Sequence, residues 1–125
     1  MGNCNGKKDS VKDKLILNYS NQIKIIHTEE GHILKSPLNI KKYDEVTLLF
    51  CENDLIIKTY NLKYIVIYNK IISWYANNVI WGFNMNYKDK IEKFTFKVED
   101  GLKVSEKIKN ITTNIAEDIN NLYTI

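Results

Sequence analysis

Two residues at the start of the chain have the chemistry to carry a covalent lipid, Gly2 and Cys4 in Met1-Gly2-Asn3-Cys4. Removal of Met1 leaves the Gly2 amine at the N-terminus. Myristoyl transfer needs that glycine, because a side chain there would clash. Cys4 then offers a thiol two positions on for a palmitoyl thioester. The two acyl groups have different work to do. A single myristoyl chain binds membranes only marginally, with a partition constant on the order of 10⁴ M⁻¹. A palmitoyl chain adds about 0.8 kcal/mol per buried methylene and makes release slow. Lys7 and Lys8 keep the flank basic, which suits both the transferase and an anionic membrane surface. Position 6, where Ser or Thr is favoured, holds Gly6.

Other reactive side chains form no recognisable set. His27 and His32 flank Thr28-Glu29-Glu30-Gly31, a pair of imidazoles beside two carboxylates. Their spacing matches no zinc pattern and neither cysteine is near them in sequence, so they read as loop histidines and no metal is expected. Cys51 sits beside Leu49 and Phe50, the setting of a buried, inert thiol rather than a nucleophile. No Gly-rich phosphate loop, Gly-x-Ser-x-Gly elbow or His-Glu-x-x-His occurs. Neither an enzyme nor a cofactor is expected. Tyr64, Tyr68, Trp74, Tyr75, Trp81 and Phe83 could stack on bases, but core packing is the ordinary use of such residues in a small β domain.

The bulk composition narrows the partners. A chain of 125 residues with 44% hydrophobic and 11% aromatic residues makes one domain with an ordinary core. The formal charge is +3, and every one of the 18 basic residues is lysine. Without arginine the chain lacks the bidentate fork that grips phosphates and guanine edges, so no nucleic-acid partner is expected. Lysine does suffice as a point charge near an anionic membrane. Lys58, Lys63 and Lys70 interrupt the most apolar region, Leu55 to Phe83, so no stretch has the length of a membrane span. These features imply a peripheral protein on the cytoplasmic face of a membrane, not a transmembrane one.

The elements that must carry this chemistry follow from periodicity. Residues 1–14 read as a flexible, acylated polar tail and residues 15–125 as the domain. From Leu15 to Val98 the runs are short, β-branched and aromatic. They are punctuated by Glu52-Asn53-Asp54, Asn61-Leu62, Asn69-Lys70 and Asn77-Asn78, and Gly31 to Tyr43 reads as partly loop. That is the pattern of an antiparallel sheet or barrel of about seven strands. Val79, Trp81, Phe83 and Met85 share one face, and Phe94, Phe96 and Val98 another. After a cap at Asp100 the period changes. Val104, Ile108, Ile111, Ile115, Ile119 and Leu122 form one stripe, which predicts an amphipathic helix over about 101–123.

A Met-Gly-x-Cys start, about seven short strands and one closing amphipathic helix together resemble a pleckstrin-homology-like domain carrying a dual acyl anchor. The combination is similar to the inner membrane complex sub-compartment proteins (ISPs) of apicomplexan parasites, small doubly acylated proteins with such a domain. The resemblance covers the whole chain in architecture and is specific at Gly2 and Cys4. It implies a bent sheet capped by its C-terminal helix, a place on the flattened sacs beneath a parasite plasma membrane, and a non-catalytic scaffolding role through an unidentified protein partner. Phosphoinositide-binding members of the wider fold carry basic residues in the first hairpin. The matching region here offers only Lys24 and Lys35, with Glu29 and Glu30 between them to repel phosphates, so phosphoinositide headgroup binding is the alternative function and not the first reading.

Overall fold

A computed structural model describes residues 23–119. The strands are β1 (Ile25–Lys35), β2 (Glu45–Cys51), β3 (Asp54–Lys58), β4 (Lys63–Ile67), β5 (Ile71–Ala76), β6 (Ile80–Tyr87) and β7 (Lys90–Lys97). Two short helices, α1 (Gly101–Lys107) and α2 (Lys109–Thr112), and a two-residue strand β8 (Ala116–Glu117) follow. All eight strands join one sheet in the order β4-β3-β2-β1-β7-β6-β5-β8. Every pairing is antiparallel except β5–β8, so the sheet is mixed and stays open between its edges β4 and β8. The fold is mainly β with a short helix, and it has one strand more than the seven expected.

Turn chemistry sets the hairpins. Asn77 Oδ1 accepts from the backbone N–H groups of Val79 and Ile80, both at 2.9 Å, and closes the β5–β6 turn. Lys88 and Asp89 take φ of 50° and 66°, the left-handed pair that lets a two-residue loop join β6 to β7. Gly31 starts no loop. β1 runs through it to Lys35, so the β1–β2 connection is only residues 36–44 and His27 to His32 lie in a strand.

Alternation then divides inside from outside. The inward residues of β2, β3 and β4 include Leu48, Phe50, Leu55, Ile57 and Val66, all fully buried. They meet Trp81, Phe83, Phe94 and Phe96 from β6 and β7. The rings interlock: Phe50 stands edge-on to Trp81 with centroids 5.0 Å apart, and Phe83 stacks on Phe94 at 4.7 Å. Each such side chain contributes about 1.5–3 kcal/mol by leaving water, which makes this cluster the main cohesive force.

α1 covers the open side, packing against β6, β1 and β5. Asp100 caps it, its side chain accepting from Leu102 N–H and Lys103 N–H. Gly101 is required by close approach, since a Cβ there would run into the carbonyl oxygens of Ile80 and Asn77. Val104 and Ile108 are buried and Ile111 and Ile115 pack against the core, as the stripe implies. The helix does not run on to about 123, however. It ends at Thr112, and Ile119 is exposed. Thr112 and Thr113 are weak helix formers whose hydroxyls bond back to the Lys109 carbonyl. Trp74 then outcompetes helix propagation. Its Nε1–H donates to Ile115 O at 3.2 Å, and its carbonyl accepts from Asp118 N–H at 2.6 Å. The chain is drawn out along β5 as β8. Leu122 lies outside the described residues.

Candidate functional site: a lysine-rich hairpin end

Gly2, Cys4, Lys7 and Lys8 lie outside the described residues. What the fold does place is the point where their tail joins the domain. Lys24 O accepts from Glu52 N–H at 2.9 Å, so the chain enters beside the β2–β3 turn. β1 then runs 11 residues to the opposite end of the sheet, about 36 Å away at strand rise.

Three connections meet at that far end. β1–β2 and β3–β4 lie there side by side, because Lys58 pairs with both Thr47 and Lys63. The β6–β7 turn joins them, as the Tyr64 and Tyr87 rings lie 6.1 Å apart. Together the three ends carry Lys35, Lys41, Lys42, Lys58, Lys63, Lys88 and Lys90 against the carboxylates Asp44, Glu45 and Asp89. Tyr43 and Tyr60 project from the same end, 62% and 104% exposed. Two of the lysines lie over tyrosine rings, Lys42 on Tyr43 and Lys88 on Tyr87, at 5.2 and 5.3 Å. Such contacts hold an ammonium group without neutralising it. Lysines and exposed tyrosines gathered at one end suit an anionic lipid surface: each lysine is worth about 1 kcal/mol there, and tyrosine favours the headgroup level.

The sequence placed the first hairpin's basic residues at Lys24 and Lys35, with Glu29 and Glu30 between. Lys24 stands at the other end of β1, and the two carboxylates are directed elsewhere. Glu29 faces inward and accepts from His27 Nε2 at 2.8 Å, the imidazole stacking on Phe50. Glu30 faces outward, beside an open groove of about 950 Å³. Lys41, Lys42, Lys88 and Lys90 escaped sequence reasoning because they lie far apart in sequence and only the return of β7 to β1 brings their turns to one end. The usable signal was the pair of lysines flanking each turn.

The remaining candidates do not assemble. His27 points into the sheet and His32 out of it, so the two imidazoles do not converge. Among the described residues no group of three or more potential metal ligands occurs. Cys51 is buried, and burial pushes its thiol up, helped by Asp54 and opposed by Lys63. Beneath the helix, a cavity of about 10 Å³ bounded by Trp74, Trp81 and Ile108 is too small for any ligand but a water. Among the described residues no helix is long and apolar enough to cross a membrane. No protein-family model, curated protein or solved structure matches this chain.

Proposed function

We propose that the chain is a doubly acylated peripheral membrane protein whose domain is a non-catalytic protein-interaction scaffold. The observation that carries this reading is the start Met1-Gly2-Asn3-Cys4 with Lys7 and Lys8 behind it. A strand order in which β7 returns to β1, with a helix over the open side, supports the finer assignment to a pleckstrin-homology-like fold. With that assignment the chain is read as similar to the inner membrane complex sub-compartment proteins, on the cytoplasmic face of that compartment. Myristate on Gly2 lets the protein sample membranes, and palmitate on Cys4 retains it where the palmitoyl transferase resides. Mass analysis of the N-terminal peptide from the native cell tests this directly. The reading requires an amide-linked acyl group on Gly2 that resists hydroxylamine and a thioester on Cys4 that hydroxylamine releases. A free Gly2 amine contradicts it.

The lysine-rich hairpin end favours a second reading, in which the domain itself contacts anionic lipid headgroups. Co-sedimentation of unacylated protein with phosphatidylserine or phosphoinositide vesicles separates the two. Binding lost on Lys41→Glu/Lys42→Glu supports the second reading, and absence of binding leaves the acyl groups as the whole attachment.

A further inference from the structure

A strand at the edge of a sheet turns half of its backbone N–H and C=O groups away from its neighbour, where another strand can pair with them. β4 is such an edge, since among the described residues its one neighbour is β3. The turn fixes which groups face outwards. Thr59 N–H donates to Leu62 O at 2.8 Å, so these two residues form a hydrogen-bonded pair. The alternation of an antiparallel ladder then turns the N–H and C=O of Tyr64 and Val66 towards β3, and those of Lys63, Ile65 and Ile67 away from it. None of the usual devices blunts this edge. β4 has no proline, no bulge against β3 and no charge from Tyr64 to Ile67. Ile65 and Ile67 are half exposed.

We infer that β4 is the seam of a two-fold dimer, in which the β4 strands of two copies of this chain pair antiparallel with Ile65 on the axis. Three observations select a second copy and this register. First, the register engages every outward group. Ile65 lies opposite its own counterpart and Lys63 opposite the second copy's Ile67, and each such pair exchanges both of its bonds. A register centred on Tyr64 or Val66 leaves one outward residue of each copy overhanging the strand. Second, the side chains match. Leu49, Ile56 and Ile65 form one cross-strand row on the outer face, and across the seam that row continues into its own counterpart. The Lys63 side chains of the two copies are about 14 Å apart along the seam at strand rise, beyond the Debye length of about 8 Å at physiological salt. Third, the other edge of the sheet offers no equivalent site. β8 is only Ala116–Glu117, so pairing of β4 with itself closes a dimer, whereas a β4-to-β8 contact, the kind that runs on into a fibre, has almost no ladder to hold it.

β4 has five residues, a seam of about 17 Å, which puts the contact among transient interfaces of under about 1,200 Å². Dimerisation is therefore concentration-dependent, and confinement to a membrane favours it by raising the effective concentration. The dimer then holds the membrane through the acyl groups of two chains. That consequence rests on the acylation reading above, whereas the pairing itself does not, so the test uses unacylated full-length protein.

Sedimentation velocity and amide exchange are followed across protein concentration. The expected result is a monomer–dimer equilibrium in which exchange at Ile65 slows as the dimer forms, while Val66, bonded to β3, is protected at every concentration. Ile65→Lys sets like charges opposite each other on the axis and should weaken dimerisation by about tenfold or more. Mixing it with Ile65→Glu protein should restore a dimer of the two variants. Near-UV circular dichroism verifies that both variants fold, and the exchange measurement on the unaltered chain does not depend on them. A chain that stays monomeric up to about 1 mM, the weak end of the affinity scale, overturns the inference, as does a dimer that Ile65→Lys leaves intact. Slow exchange at Ile65 that is the same at every concentration in a monomer also overturns it, because the cover is then intramolecular.

Discussion

The two halves of the sheet share one core but finish their outer faces differently. On β5–β7, the Tyr75 side chain crosses the row it shares with Gly82 and Thr95. Its ring lies where a Gly82 side chain would be, and its hydroxyl donates to Phe94 O at 2.8 Å and bonds Thr95 Oγ1 at 2.6 Å. The adjacent row is polar, Asn84 Nδ2 donating to Ser73 Oγ and to Asp118 Oδ2, both at 2.9 Å. β8 pairs with Ser73 and Trp74 of that edge strand. On β1–β4 the equivalent row is Leu49, Ile56 and Ile65, and the β4 edge carries half-exposed isoleucines. One face is completed by its own hydrogen bonds, whereas the other is apolar and suited to accept a further segment. The contrast teaches where this domain has surface to spare for contact.

The sharpest way to break the contrast is Gly82→Ala set against Ile65→Ser. A Cβ at position 82 meets the Phe94 carbonyl and the Tyr75 ring, so urea denaturation should show a loss of about 3 kcal/mol. Ile65→Ser is expected to cost under about 1 kcal/mol, since half of the side chain is already in water. Equal costs would mean that the two faces are equally committed.

Tyr75→Phe comes next, at about 1–2 kcal/mol, because it leaves the Phe94 carbonyl and Thr95 hydroxyl without their partner. It also has a pH signature. Burial drives the Tyr68 and Tyr75 phenols far above their ordinary value. The unfolded chain releases these protons near pH 10 while the folded chain retains them. Stability is therefore level in this respect below about pH 10 and falls above it, by up to about 1.4 kcal/mol per pH unit for each tyrosine. Alkaline unfolding of Tyr75→Phe should be shallower by about one such increment. An unchanged slope would place the Tyr75 hydroxyl in contact with solvent.

The smallest expected effect is at the β8 edge. Asp118→Ala removes the Asn84 contact and should cost about 0.5–1 kcal/mol. In that variant amide exchange should quicken at position 118, whose N–H reaches Trp74 O, and not in β1–β4.

Much of this fold was legible because alternation is a direct record of which face is wet. The runs Val46 to Cys51, Val79 to Met85 and Phe94 to Val98 announced themselves as strands, and Asp100 announced the helix start. The misreadings share one cause, a local signal overruled by tertiary contact. Gly31 looked like a loop, yet a central strand passes through it between β2 and β7. The isoleucine stripe beyond Thr112 kept helical spacing, but Trp74 offers both hydrogen bonds that turn the chain into β8. The hairpin end was legible only in part, since Lys41, Lys42, Lys88 and Lys90 are far apart in sequence and meet through the return of β7 to β1. Gly2 and Cys4 lie outside the described residues, and the proposal for them rests on the linear sequence alone.

The central claim is that the N-terminal acyl groups place this domain on a membrane, and fractionation of Gly2→Ala protein in its native cell tests it most directly. The account predicts that the variant moves wholly into the soluble fraction, while Cys4→Ser protein stays weakly and diffusely membrane-bound. Gly2→Ala protein that pellets with membranes as the unaltered chain does would contradict it.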